Sequence, residues 1–209
     1  MRRAPFAIGI AAAAIVIAGS AAVLGVWAPA NPNAAVPSAS SPYPLPHARE
    51  NREAVWAETR WPFLQDQWGI GRAFVCMPAE CGVKIDLFVR PKIGFCNCST
   101  GVSDDNELER VADTDLISPK ARPLGPSSPV KIGWMSGLSR TYLTSDERPN
   151  ERLLSVAFND ECDVVVAVAS LGKADPTVGA PAVVSFLKST PMVLWAKKEL
   201  GLEFVRREW

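Results

Sequence analysis

The chain has 209 residues, 48% hydrophobic and 21% charged, a composition that supports a packed core and excludes global disorder. Its 22 basic side chains balance 22 acidic ones, which excludes nucleic acid as the main partner, because phosphate neutralisation needs a basic surface. A single histidine, His47, excludes the Ser-His-Asp and Cys-His nucleophile systems from the body of the protein and disfavours imidazole-ligated zinc.

Met-Arg-Arg leads into FAIGIAAAAIVIAGSAAVLGVW, Phe6 to Trp27, a run of 22 positions without a charge. At about 1.5 Å per residue such a helix would cross a hydrocarbon core of roughly 30 Å. Arg2 and Arg3 favour a cytoplasmic N-terminus and an exported remainder. Two readings stay open. Residues 1–27 form an uncleaved signal anchor, giving a single-pass inner-membrane protein with its C-terminal domain in the periplasm. Alternatively they form a signal peptide, with Ser20-Ala21-Ala22 or Ala28-Pro29-Ala30 as the cleavage region, and the product is soluble in the periplasm or secreted. Membrane contact is therefore expected through residues 6–27. Residues 28–48, rich in proline, alanine and serine, are expected to be a semi-rigid extended linker, and His47 lies in it.

A single exported domain is expected over residues 49–209. ENREAVWAETR, residues 50–60, has helical composition and predicts a short docking helix. WPFLQDQWGIG follows, with Trp61 and Trp68 near prolines and glycines that break regular structure. These indoles suit either a plug over the sheet or a platform for sugars and other flat ligands, which makes Trp61 and Trp68 ligand-binding candidates. AFVC and VKIDLFV predict strands around a MPAECG loop; in the second, Val83, Ile85, Leu87 and Val89 alternate with Lys84, Asp86 and Phe88. Ser103 before DDNELERVAD predicts a capped helix, with Asp104 and Asp105 complementing the dipole of its N-terminus. ISPKARPLGPSSP reads as a surface loop. VKIGWMSGLSRTYLT, LLSVAFN and CDVVVAVASL then predict three more strands, the last two joined by a tight turn at Asn159-Asp160-Glu161. Val178–Lys188 and Pro191–Leu200 predict two closing helices, with Pro191 suited to a first turn and Gly201 to a helix end. The expected fold class is α+β: a mainly antiparallel sheet of about five to six strands with C-terminal helices.

Five cysteines remain, Cys76, Cys81, Cys96, Cys98 and Cys162, and an exported chain meets an oxidising compartment where disulfides form. Cys76 and Cys81 could close a short turn, and Cys96 or Cys98 could pair with Cys162, so the connectivity stays open. Cys76, Cys81, Cys96 and Cys98 could instead make a thiolate zinc site, and Cys96 and Cys98 could serve thiol redox chemistry. The acidic run fails as a calcium loop, since Leu108 stands where a third ligand should follow Asp104 and Asn106. The stretch KIGFCNC through GVSDDNELERVADTDLI resembles a segment of exported proteobacterial proteins of unknown function, sharing the pattern KIGFCNC…GVxDDxELxRVxDxDLI. That resemblance implies export and no activity. No cofactor is expected. The leading expectation is a non-enzymatic binding or accessory module of the cell envelope stabilised by disulfides; the alternative is a thiol-redox or zinc-type protein using Cys96 and Cys98.

Overall fold

LLSVAFND and DVVVAVAS carry apolar or small side chains at nearly every position, a pattern suited to strands covered on both faces. In the computed structural model, which describes residues 54–145 and 148–202, these segments are central strands of one antiparallel sheet. In chain order the elements are β1 (Trp56–Thr59), β2 (Arg72–Cys76), α1 (Pro78–Cys81), β3 (Ile85–Lys92) and α2 (Asp105–Val111). A single 3-10 turn (Thr114–Leu116) precedes β4 (Arg122–Pro123), β5 (Ser128–Ile132), β6 (Met135–Leu143), β7 (Arg152–Asp160) and β8 (Asp163–Ser170). Two helices, α3 (Pro176–Lys188) and α4 (Thr190–Glu199), close the described fold.

The strand order is β1-β2-β3-β8-β7-β6-β4, with β5 also paired to β6, and every pairing is antiparallel. The α+β class and the antiparallel sheet with C-terminal helices match the sequence expectation, but among the described residues the sheet has eight strands. Three local events account for the three strands beyond the five read from sequence, the first being β1 in place of an expected helix. VKIGWMSGLSRTYLT folds back on itself, because Gly133 at φ +59° turns the chain between β5 and β6. The proline-rich loop also lends Arg122 and Pro123 to the free edge of β6.

The period-two alternation of β3 divides its side chains between two cores. Ile85, Leu87 and Val89 join Phe74, Leu154, Val156, Phe158, Val165 and Ala167 beneath Val183, Leu187, Met192 and Ala196 of the C-terminal helices. On the opposite face, Leu108 and Val111 of α2 cover Ala157, Val164 and Val166, together with Cys96 and Val102. A third group, Tyr142, Leu153 and Val168, extends that second face toward Ile117.

Several local expectations change. The predicted helix over residues 50–60 is, from Trp56 onward, strand β1. Its indole stacks on Phe186 of α3 at 4.6 Å between centroids, and Glu58 binds Arg72 across the strand pair. Tertiary contact overrides helical composition there. MPAECG holds one helical turn, α1, ended by Gly82 in the left-handed region. The cap of α2 is Asp104 and not Ser103: its carboxylate accepts the Glu107 N–H at 2.8 Å. The tight turn between β7 and β8 is Glu161-Cys162, with Glu161 at φ +50°. The expected anchor or signal segment 1–27, the linker 28–48 and His47 lie outside the described residues. Among the described residues no single helix is long and apolar enough to cross a membrane.

Candidate functional site

The junction from Lys92 to Asp115 lies on the α2 face of the sheet, and the structure assigns each of its cysteines. Cys98 is bridged to Cys162, 64 residues on, and Cys76 to Cys81, five residues on. Cys96 is the free thiol. The first bridge ties the loop after β3 to the β7–β8 turn; the second closes α1 against the other core. Three of the four cysteines that could have formed a zinc site are thus held in disulfides. Among the described residues no group of three or more His, Cys, Asp and Glu side chains is placed to hold a metal ion.

Cys96 is 6% exposed, with Val102, Leu108 and Val111 in the same core. Its N–H donates to the Cys162 carbonyl at 3.0 Å and its thiol to the Glu161 carbonyl at 3.1 Å. Burial, reinforced by the negative charges of Glu107 and Asp163 and only partly opposed by Arg110, pushes the thiol up to about 11. A thiol so protonated is a poor nucleophile at neutral pH. Cys98, its neighbour in the C-x-C pair, has no thiol to offer.

The polar connections around the junction are dense. Glu107 accepts the Asn97 N–H at 2.8 Å and pairs with Arg110 at 2.6 Å, and the Arg110 contact holds its carboxyl below the usual carboxylate range. Gly94 N–H reaches Asp163 at 2.6 Å, and Val102 N–H reaches the Asn159 side chain at 2.9 Å. The C-x-C loop is therefore fastened to both β7 and β8.

An ion cluster lies on the same face at the end of β3, where alternation directs residues 86, 88, 90 and 92 away from the helical core. Arg90 is 3% exposed. Its Nε and Nη2 donate to the two oxygens of Asp113 at 2.6 and 2.7 Å, and its Nη1 reaches both oxygens of Asp66 at 2.8 Å. Buried Lys92 donates to Asp113 at 2.8 Å and to the Val111 carbonyl at 2.7 Å. Burial works against the charge on Arg90, but its hydrogen bonds to Asp113 and Asp66 outweigh that and raise its pKa. Asp66 also loses solvation, yet the Arg90 hydrogen bonds keep its carboxyl below the usual range.

Trp61 and Trp68, singled out from sequence, both belong to this cluster. The Arg90 guanidinium lies 5.9 Å from the Trp61 ring, which meets Phe63 and Phe88 edge-on. The Lys92 ammonium lies 5.8 Å from Trp68 and 5.3 Å from Phe95, whose centroids are 4.4 Å apart. Half-buried, the two indoles bracket two buried cations, the geometry of cation–π packing. A shallow cavity of about 350 Å³ lined by Trp68, Lys92, Phe95 and Arg110 remains in front of them.

Arg90, Lys92, Asp66 and Asp113 were not sequence candidates. VRPK at a strand end reads as a solvated edge, and the acceptor Asp113 lies 23 residues away from Arg90. The available signal was the strand alternation, which places both cations on the face opposite Ile85, Leu87 and Val89. Compared with known proteins, the chain matches no family model, no curated protein and no solved structure.

Proposed function

We propose that this chain is an exported, disulfide-stabilised binding or accessory module of the cell envelope, without catalytic thiol or metal chemistry. The apolar run at residues 6–27 would tether it to the membrane or direct its export, and residues 28–48 would hold the domain away from the surface. The observation that carries the reading is the disposition of the cysteines: four sit in two pairs, and the fifth is a buried, protonated thiol. The ion cluster supports it. Both cations are met by carboxylates, so their charges hold segments together instead of facing a substrate.

The test is peptide mapping by mass spectrometry without reduction, on the full chain isolated from its own envelope and treated with iodoacetamide. The expected result is two linked peptides, Cys76–Cys81 and Cys98–Cys162, with Cys96 labelled only after unfolding. Rapid labelling of native Cys96 or Cys98 would favour the thiol-redox alternative. Bound zinc that disappears on replacing either residue would favour the metal-binding one. A C-terminal reporter active only outside the cytoplasm tests export separately; a silent reporter on a stable fusion would sink that half of the reading.

A further inference from the structure

The β5–β6 turn carries an indole that the turn does not need. Gly133 supplies the left-handed residue at the first central position, as a two-residue II′-type hairpin requires, and Trp134 follows it. Small polar residues suit the second position equally well. Trp134 instead leaves 42% of its surface exposed, so part of its apolar area stays in water.

It stands on a groove of about 530 Å³ between the β5–β6 hairpin and the loop that follows the C-x-C pair. The opposite wall includes Ser99, Thr100 and Ser103, and Ser136 lies on the hairpin side; all four are exposed. Gly137 contributes bare backbone, since a Cβ there would strike the Ala157 carbonyl of the next strand. Asn159 fixes the base: its amide oxygen accepts the Val102 N–H at 2.9 Å, and its amide nitrogen donates to the Glu161 carbonyl at 3.0 Å. The Cys98–Cys162 bridge closes one end. Among the described residues that line the groove, Glu161 alone is charged and none is a cation.

We infer that this groove binds a neutral oligosaccharide, with a pyranose ring stacked on Trp134. An indole face is electron-rich and attracts the weakly positive C–H face of a pyranose. The exposed hydroxyls of Ser99, Thr100, Ser103 and Ser136 match sugar hydroxyls, and the volume falls within the range of small-ligand sites, about 300–1,000 Å³. Charge decides against other classes: phosphorylated, sulfated or acidic ligands would meet Glu161 without a compensating cation. The cavity beside Trp68 is chemically opposite, because it is lined by cations and carboxylates in ion pairs.

This inference rests on the reading of the chain as a binding module, but the two can fail separately. The mass-spectrometric bridge map judges that reading, and sugar titration judges the groove. The full chain in mild detergent is titrated calorimetrically with cellohexaose and with chitohexaose, up to about 1 mM ligand. Saturable binding of at least one is expected, weakened about tenfold or more by Trp134→Ala and kept within about threefold by Trp134→Phe. Trp68→Ala, in the other cavity, should leave it unchanged. Trp134 is exposed, so its variants should melt at the parent temperature, which separates lost binding from lost fold. Absence of saturable binding to both sugars, or Trp134→Ala binding as tightly as the parent, would overturn the inference. So would an equal loss from a Trp68→Ala variant whose melting curve shows it to be folded.

Discussion

The two faces of the sheet are built on different physics. Beneath α3 and α4 the core is continuous and apolar, running from Phe74 through Leu87 and Phe158 to Met192, and it excludes water by area alone. Beneath α2 the apolar clusters are smaller and separate. There, Cys98–Cys162, the Arg90–Asp113–Lys92 cluster and the Asp104 cap hold irregular chain against the strands. A face covered by long helices can rely on non-directional burial. A face covered by loops needs directional bonds and covalent links, because loop backbone carries polar groups that must be satisfied.

Replacing Asp113 is the strongest way to break this contrast. Asp113→Ala strips a buried acceptor from both Arg90 and Lys92 and should cost about 3–5 kcal/mol in urea unfolding. A loss below about 1 kcal/mol would mean the cluster is not a closure device. Replacing Arg90, Lys92 and Asp113 together with apolar residues of similar volume should be far milder, since no buried charge is then left unpaired and Asp66 faces solvent. The bridges come next. Cys98→Ser with Cys162→Ser releases a 64-residue separation and should cost about 4 kcal/mol. Cys76→Ser with Cys81→Ser releases a separation of only five residues and should cost about 2 kcal/mol. The reverse order would indicate that the helical face depends on its staple more than its apolar core implies.

Smaller effects sharpen the same contrast. Asp104→Ala removes the α2 cap and should cost about 1 kcal/mol, with raised amide exchange confined to α2 and the loop before it. The gentlest probe is pH. Cys96 keeps its proton in the fold up to about 11, against an ordinary value of 9.0. Between those values the unfolded chain has lost the thiol proton and the native one has not, so stability falls as pH rises. That contribution is fully present below pH 9 and gone above about 11, and Cys96→Ala should flatten this segment of a stability-against-pH curve measured with the bridges intact.

The contrast also explains what could be read in advance. The apolar face was legible because its signals are local. Alternation in VKIDLFV, continuous hydrophobicity in DVVVAVAS, and Pro191 with Gly201 around the last helix are properties of neighbouring residues. Trp56 was misread because its partner Phe186 lies far along the chain, and VKIGWMSGLSRTYLT was read as one strand although Gly133 turns the chain within it. The loop-covered face was scarcely legible. Arg90 and Lys92 have the composition of a solvated strand end, and only a partner more than twenty positions away converts them into a buried cluster. Trp61 and Trp68 stood out from sequence, yet sequence could not tell stacking on a ligand from stacking on Arg90 and Lys92. Trp134, with a groove beside it, did not stand out.

By itself the sequence determined the α+β class, most strands, the two C-terminal helices and the supply of five cysteines, because short-range periodicity and turn chemistry decide each. It also carried the expectation of export, in residues outside the described fold. The tertiary structure decided the pairing: which cysteine is bridged, which carboxylate neutralises which cation, and which indole is left beside an open groove. These depend on distances between residues far apart in the chain, set by strand register and by the order of strands in the sheet.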